Sequence, residues 1–320
     1  RMPRVSATQL FEDTRGKLQL AWAGGHASPA NWLDSERINA SAQGLIGHLN
    51  VIHPNWIQVL SPTEIRHLDA LGPEGAAQVL DKLASSDLAC VIVSDGQAVP
   101  PPILAMAEAR PVPLLSTPLT SIQVMWIMRP YLARALAEYT EMHGVLLDVL
   151  DVGVMITGQS GVGKSELALE LISRGHGLIA DDVVELYRIA PNIIEGRCPA
   201  MLKDFLEVRG LGMLSIRTIF GETAIRIKKN LKLIVELQRA SAEQMAGLDR
   251  LPLRPERASV LGVPVRKVIL PVAAGRNLAV LTEAAVRNFV LELRGFDSTQ
   301  EFMRRQESLM AGPADPDGAA

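Results

Sequence analysis

The stretch at residues 152–172 constrains this chain more than any other. It opens with VGVMIT, an apolar run rich in β-branched residues and long enough for one buried strand. The next residues are GQSGVGKS, followed by ELALELI, whose apolar residues recur at helical spacing. A glycine-rich loop between a strand and a helix is typical of a phosphate-binding loop, in which backbone N–H groups surround nucleotide phosphates. The sequence therefore predicts such a loop inside an α/β domain.

Each position of the phosphate loop has a chemical task. The glycines allow positive φ angles that turn backbone N–H groups inward, and the following helix offers its positive dipole end to the same anion. Lys164 has the position that reaches β- and γ-phosphates, and Ser165 has the hydroxyl that binds Mg²⁺. The alternative is a glycine-rich turn without a ligand. The predicted nucleotide-binding residues are Gly158, Gln159, Ser160, Gly161, Val162, Gly163, Lys164 and Ser165.

Length and composition limit what kind of protein carries this loop. The chain has 320 residues, 48% of them hydrophobic, which is enough for two domains. A net charge of −3 argues against nucleic acid as the main partner. The only cysteines, Cys90 and Cys198, are too few for a disulfide framework or a zinc site, so a reducing, cytoplasmic location is expected. No run approaches the roughly 20 apolar residues of a membrane span, and no signal sequence is evident.

Residues 1–135 alternate strand and helix patterns without an evident catalytic constellation. Ser61 starts a capping box with Pro62 at the first helical position, and residues 88–93 have the pattern of a buried strand between helices at 75–83 and 103–108. A βαβα order predicts a small parallel sheet. The histidines here share no metal-ligand spacing and are interpreted as surface or core residues; they are His26, His48, His53 and His67.

The predicted domain junction lies within an apolar helical pattern at residues 119–139. Pro130 lies inside this pattern and is expected to kink or split the helix. We place the first domain, whose role the sequence does not indicate, at residues 1–135 and the phosphate-loop domain at residues 136–310. Residues 311–320 have the composition of a disordered tail.

Acidic residues follow the phosphate loop at the ends of apolar runs. Asp181 and Asp182 come directly after LIA, and adjacent side chains on a strand face opposite ways, so the two acids are expected to have different tasks. An acid at the end of an apolar strand often holds Mg²⁺ in phosphate-loop enzymes, and Glu236 after LIV is a rival for that position. The alternative for the pair is a simple turn. The sequence leaves this choice open.

Three later segments complete the set of candidates. Residues 206–215 place Glu207 and Arg209 among apolar residues and glycines, a pattern that suits a bendable segment with a metal-binding acid and a phosphate-neutralising cation, or a charged loop. Residues 240–258 have the composition of a polar loop, either solvated or a phosphate-facing lid. Thr282 is expected to cap a helix at residues 283–293.

Five motifs between about 137 and 296 are together distinctive: HGVL at 143–146, the phosphate loop, ADD at 180–182, LEVRGLG at 206–212 and GRNLAV at 275–280. With them the sequence resembles the bacterial HPr kinase/phosphorylase family, which phosphorylates a serine of the phosphocarrier protein HPr. The resemblance implies HPr as partner, a homo-oligomer of the hexamer type, and a catalytic domain resembling phosphoenolpyruvate carboxykinase. It also implies ATP and Mg²⁺, with inorganic phosphate and pyrophosphate as co-substrates of a reverse reaction.

The resemblance also implies roles for individual residues. Ser165 and Glu207 would hold Mg²⁺, and Asp182 would be the acid–base group. The implied catalytic residues are His143, Lys164, Asp182 and Arg250. The family associates the pattern Pro-Val-Arg-Pro-Gly-Arg with dephosphorylation. The corresponding segment of this chain lacks one arginine and one proline of that pattern; it consists of Pro271, Val272, Ala273, Ala274, Gly275 and Arg276.

Three functions remain distinct hypotheses. The leading one is an ATP- and Mg²⁺-dependent protein-serine kinase with phosphorolytic reversal. A small-molecule kinase with the same loop is the second, and a nucleotide-dependent regulatory switch is the third. The chain has no Asn-Lys-x-Asp motif for reading guanine, which argues against a GTPase.

Overall fold

The computed structural model describes residues 3–50, 52, 54–246 and 256–310. The chain divides into two compact units, Arg1–Glu138 and Tyr139–Ala320. Each is an α/β unit with parallel strands, as predicted. The likeness of the second unit to phosphoenolpyruvate carboxykinase stays a prediction.

The first unit is built around a five-stranded sheet. The strand order is β2-β7-β6-β5-β4, in which β4 to β7 run parallel and β2 is antiparallel to β7. The strands are β1 (Arg4–Val5), β2 (Ala21–Gly24), β3 (Leu33–Asp34), β4 (Gly44–His48), β5 (Asn55–Leu60), β6 (Cys90–Val93) and β7 (Leu114–Ser116). The helices are α1 (Ala7–Leu18), α2 (Ser35–Ala40), α3 (Pro62–Ala70), α4 (Gly72–Ser85), α5 (Pro101–Ala109) and α6 (Ser121–Ala135).

Helices cover both faces of this sheet. One face packs against α1 and α6, and the other packs against α3, α4 and α5. The central strands β5 and β6 are buried along their whole length. This explains why β6 is apolar at every position, whereas β5 carries two buried polar residues, Asn55 and Gln58. The predicted small parallel sheet is therefore confirmed. Pro130 lies inside α6 without splitting it, because buried side chains on both sides of the proline hold the helix against the sheet.

The second unit contains a nine-stranded sheet and a separate hairpin. Its strands are β8 (Glu138–His143), β9 (Val145–Val149), β10 (Val152–Gly158), β11 (Gly177–Ala180), β12 (Val183–Ala190), β13 (Ile193–Arg197), β14 (Phe205–Val208), β15 (Gly212–Ser215), β16 (Lys228–Arg239), β17 (Glu256–Val260) and β18 (Val263–Val272). Its helices are α7 (Lys164–Ser173), α8 (Ile216–Phe220), α9 (Ala242–Ala246), α10 (Leu278–Leu293) and α11 (Ser298–Met310). Strands β14 and β15 form the hairpin.

Strand β16 is the centre of the large sheet. Its first residues pair with β13, and the rest of the strand lies between β10 and β18, parallel to both. On the other side of β10 follow β9 and then β11. Within β10, Val154 and Ile156 face α7 and α10, whereas Met155 faces the core formed with β12, β13 and β17. The strand that precedes the phosphate loop is thus apolar at the consecutive positions 154–156 because both of its faces are buried there.

This pairing brings several chain segments to one edge of the sheet. Strands β10 and β18 run parallel to β16, and β11 runs the same way because it is antiparallel to β9, itself antiparallel to β10. The phosphate loop, the acids after β11 and the turn after β18 therefore share an edge. The turn from β8 into β9 reaches it too, because Val145 pairs with Ile156. Ligands of open α/β sheets bind outside such carboxyl ends.

Candidate active site

A cleft of about 540 Å³ lies at this edge of the second unit. Four segments line it: the turn at His143 and Gly144, the phosphate loop, the acids Asp181 and Asp182, and residues 207–212 of the β14–β15 hairpin. The structure thus brings together residues from four separate segments of the chain: His143, Lys164 with Ser165, Asp182, and Glu207. Arg250 lies outside the described residues.

The phosphate loop owes its shape to glycines. Gly158, Gly161 and Gly163 have φ angles of 142°, 74° and 107°. At Gly158 a Cβ atom would lie 2.6 Å from the Leu237 carbonyl oxygen, so the neighbouring strand leaves room for glycine alone. The Val162 side chain is buried in the hydrophobic core and anchors the loop to it. Helix α7 then starts at Lys164, which directs its N-terminal N–H groups and positive dipole end at the cleft.

Cationic side chains surround the phosphate loop. Lys164 Nζ donates to the carbonyl oxygens of Gly158 and Gln159, at 2.9 and 3.1 Å. Arg239 Nη2, at the end of β16, donates to the Gly161 carbonyl oxygen at 2.6 Å. On the other side, Arg209 Nη1 lies 3.4 Å from the place a Gly161 Cβ would take. The loop is therefore surrounded by positive charge suited to a polyphosphate.

The two adjacent acids have different environments. Asp181 is buried, and its Oδ2 accepts a hydrogen bond from the backbone N–H of Glu207 at 2.8 Å. Burial raises the pKa of Asp181, although the N–H bond from Glu207 acts in the opposite direction. Asp181 therefore holds the β14–β15 hairpin at the rim of the cleft.

Asp182 is instead presented to the cleft. It has a φ angle of 65°, in a tight turn closed by hydrogen bonds from Val183 N to Asp181 O and from Gly144 N to Asp182 O. Its side chain is 68% exposed, and Oδ1 lies 3.8 Å from His143 Nδ1. A non-glycine residue in the left-handed region is uncommon, and such strain concentrates at functional sites. Asp182 thus has the access that a proton-transferring group requires.

Glu236, the rival acid, does not line the cleft. Its carboxylate forms an ion pair with Lys267 on β18 and accepts a hydrogen bond from Gln238 at 2.7 Å. The Lys267 ammonium lowers the pKa of Glu236 below its usual range. The carboxylate is thus engaged within the sheet.

The polar groups of the cleft fit Mg²⁺ only in company with phosphate. Among the described residues no group of three His, Cys, Asp or Glu side chains is placed to hold a metal ion. Ser165 and Glu207 line the cleft, and the Glu207 side chain is exposed. Mg²⁺ usually takes one or two protein oxygens and completes its shell with substrate phosphates and water. A hydroxyl and one carboxylate beside a phosphate loop match that requirement.

The predicted dephosphorylation segment lies elsewhere. It comprises the end of β18 and the following turn. Val272, Gly275 and Arg276 line a second cleft of about 490 Å³, and no residue of the segment lines the first.

Three features of the site escaped sequence analysis. Glu166 lines both clefts, Asp181 anchors the hairpin, and Arg239 bonds to the loop from 78 residues away. Glu166 has a signal, because it directly follows the phosphate loop. The other two depend on tertiary contacts that no local pattern reports.

Among the described residues no helix is both long and apolar enough to cross a bilayer.

Comparisons with known proteins cover nearly the whole chain. The model of the HPr Serine kinase N terminus matches residues 5–132, and that of the HPr Serine kinase C-terminal domain matches residues 134–306. An HPr kinase/phosphorylase of Nitrosomonas europaea is 58% identical over 311 residues, which is 97% of this chain and 96% of the relative. One of Chromobacterium violaceum is 52% identical over 309 residues, 97% of each chain.

A solved structure is also similar. The Hpr(Ser) kinase/phosphatase from Coxiella burnetii is 36% identical to the matched part and covers 51% of this chain and 98% of its own, with a TM-score of 0.45.

Proposed function

The chain belongs to the HPr kinase/phosphorylase family, and from this premise we propose that it transfers the γ-phosphoryl group of ATP to a serine of HPr and removes it by phosphorolysis. It is a serine kinase/phosphorylase enzyme. One observation carries the proposal: an exposed carboxylate, Asp182, lines the same cleft as the phosphate loop. A phosphoryl donor and a proton acceptor can therefore meet at one place.

The phosphate loop and its cations bind the donor. Backbone N–H groups of residues 158–165 and the N-terminus of α7 contact the phosphates, and Lys164 exchanges its carbonyl partners for phosphate oxygens. Phosphoryl transfer needs charge neutralisation and alignment more than covalent help from the protein. Lys164 supplies a positive charge where negative charge moves from the γ-phosphoryl group to the departing ADP.

Asp182 moves the proton. It accepts the proton of the serine hydroxyl while the serine oxygen bonds to the γ-phosphorus and the bond to the β–γ bridging oxygen breaks. His143, whose Nδ1 lies 3.8 Å from Asp182 Oδ1, is proposed as a further catalytic residue beside this carboxylate. Arg250 is proposed as a further catalytic cation, on the family resemblance alone.

Ser165 and Glu207 are proposed as the protein ligands of Mg²⁺. When bound there, the ion neutralises charge on the phosphate oxygens. The hydrogen bond from Glu207 N to the buried Asp181 carboxylate fixes the backbone at the strand that presents Glu207. The buried carboxylate of Asp181 therefore helps to position the carboxylate of Glu207.

The reverse reaction uses the same groups. An oxygen of inorganic phosphate attacks the phosphoserine phosphorus, Asp182 returns its proton to the departing serine oxygen, and pyrophosphate leaves. Phosphate then occupies the loop where the β-phosphate of ATP lies in the forward reaction. The segment at residues 271–276 is proposed to assist this direction, again from the resemblance.

Assembly and location complete the proposal. We propose a homo-oligomer, a hexamer, in the cytoplasm, with HPr as its protein partner and with neither nucleic acid nor a membrane as a binding partner. The family resemblance supports the hexamer and HPr as partner, and the composition of the chain supports the cytoplasmic location and the absence of nucleic-acid and membrane partners.

Transfer of label tests the proposal. The protein is incubated with γ-labelled ATP, Mg²⁺ and purified HPr, and the labelled residue is identified. Labelled serine is expected. Turnover of ATP onto a metabolite would instead support a small-molecule kinase, and hydrolysis without transfer would support a regulatory switch.

A further inference from the structure

The second cleft, of about 490 Å³, adjoins the phosphate cleft, and the mechanism above assigns it no contact with the nucleotide. One wall is α7, through Glu166 and Glu170, which lie one helical turn apart. The opposite wall is the turn after β18 and the start of α10, through Arg276 and Asn277. Gly163 and Glu166 line both clefts, so the two meet at the N-terminal turn of α7.

The strand order shows which part of a bound nucleotide reaches this second cleft. The sheet runs β11-β9-β10-β16, with β18 beyond β16. Asp182 follows β11, on one side of the phosphate loop, and the γ-phosphoryl group must face Asp182 for transfer. The other end of the nucleotide then points away from β11, toward the ends of β16 and β18. The second cleft lies on that side.

The lining of the second cleft suits a nucleoside better than another phosphate. Its volume is within the roughly 300–1,000 Å³ usual for small-molecule sites. Glu166 and Glu170 are exposed carboxylates that repel anions but accept hydrogen bonds from hydroxyl groups. Arg276 offers a planar guanidinium that stacks on aromatic rings, and its Nη1 lies 3.7 Å from Met245 Sδ. Two acceptors and one planar cation match a ribose and a purine.

We propose that this cleft is the nucleoside subsite, in which Glu170 accepts hydrogen bonds from the ribose hydroxyls and the base lies toward Arg276. The inference rests on the proposed function, in which the phosphates of ATP occupy the first cleft. A nucleoside subsite would affect transfer from ATP more than phosphorolysis, because inorganic phosphate and pyrophosphate carry no nucleoside. The contacts of Glu170 in the second cleft are then made with ATP and ADP only.

Binding of ADP and of pyrophosphate, each with Mg²⁺, tests the subsite. Calorimetric titrations are run on the full chain, on Glu170→Ala and on Glu170→Trp, with Glu307→Ala on α11 as the control for loss of an exposed glutamate. The Kd for ADP should rise about tenfold in Glu170→Ala, the loss expected for one charge-assisted hydrogen bond. Glu170→Trp should raise it further because the indole fills the cleft. Retained pyrophosphate binding reports that each variant is folded.

The ratio of the two dissociation constants decides the question. A rise in Kd for ADP relative to pyrophosphate supports the subsite. An unchanged ratio, or an equal loss for both ligands, overturns it. A chain that binds both ligands as described but fails to phosphorylate HPr would contradict the proposed function and leave the subsite standing.

Discussion

Both units end parallel strands in polar residues, but they use those residues differently. In the first unit, the Ser94 hydroxyl after β6 donates to Asp95 at 2.6 Å, and the Thr117 hydroxyl after β7 donates to the Leu18 carbonyl oxygen at 2.5 Å. Ser61 after β5 forms a capping box with Glu64. These hydroxyl groups are engaged inside the unit: those of Ser61 and Ser94 bond next to their own strands, and that of Thr117 bonds to the C-terminal end of α1.

In the second unit the acid that follows a parallel strand faces a cleft, together with polar residues of α7 and β14. Asp182 after β11 is 68% exposed, and Ser165 and Glu207 line the same cavity. The backbone of the phosphate loop, rather than its side chains, makes the turn. The comparison shows that polar residues at strand ends indicate a site only where their side chains are not already hydrogen-bonded within the fold. Substitutions should therefore affect chemistry in one unit and folding in the other.

The largest effect should come from Lys164→Ala. Both transfer from ATP and phosphorolysis should fall by about 10²–10³-fold or more, because the loop loses the cation that offsets phosphate charge. Rates in both directions measure it. Lys232→Ala, an exposed lysine of β16, is the matched control and should behave as the unmodified protein. Near-normal transfer in Lys164→Ala would show that another group binds the phosphates.

The next effect separates the two acids. Asp182→Asn should slow serine phosphorylation by about 10²–10⁴-fold while ATP still binds, because an amide keeps the size of the carboxylate but does not accept the proton. Asp181→Asn should be milder, since its amide oxygen still accepts the Glu207 N–H. Single-turnover rates and ATP affinity are compared. A greater loss of rate at Asp181 would reverse the two roles.

Thr117→Val probes the first unit. The hydroxyl bonds to Leu18 O and accepts from Leu119 N, at 2.5 and 3.1 Å, and valine keeps the shape but loses both. The free energy of unfolding of this unit should fall by about 1–3 kcal/mol with kcat unchanged. Denaturant unfolding measures it, with the exposed Thr8→Val as control. A loss of kcat without a loss of stability would mean that Thr117 also contributes to catalysis.

The smallest effect is expected at the turn after β18. Ala273→Arg combined with Ala274→Pro restores the family pattern, and the added guanidinium should lower the half-saturating phosphate concentration for pyrophosphate release a few-fold. Ala274 is exposed and Ala273 partly buried, so the change should be tolerated. Transfer from ATP should change less, because the loop and metal hold the nucleotide phosphates. An unchanged phosphate dependence would remove this segment from the reverse reaction.

The sequence predicted what is local. The phosphate loop, the capping box at Ser61 and the parallel sheets follow from short patterns, and the structure has them. The exposure of Asp182 follows instead from a turn closed by Gly144, a residue of the turn between β8 and β9. No periodicity reports such a contact.

One element boundary also depended on packing. Helix α10 starts at Leu278 with Asn277 as its cap, and Thr282 lies inside the helix, where its hydroxyl donates to the Leu278 carbonyl oxygen. The prediction of a cap at Thr282 was wrong because Leu278 and Ala279 pack on the core and add a turn. Both Asn and Thr are good caps, so composition does not choose between them.

The central claim is that one cleft serves both directions of phosphoryl transfer. HPr is first labelled by the protein from γ-labelled ATP, then purified and returned to fresh protein with Mg²⁺ and unlabelled phosphate. The account predicts label on serine in the first step and labelled pyrophosphate in the second, with both steps lost together in Asp182→Asn. Release of the label as inorganic phosphate, or a variant that loses one step alone, would contradict it.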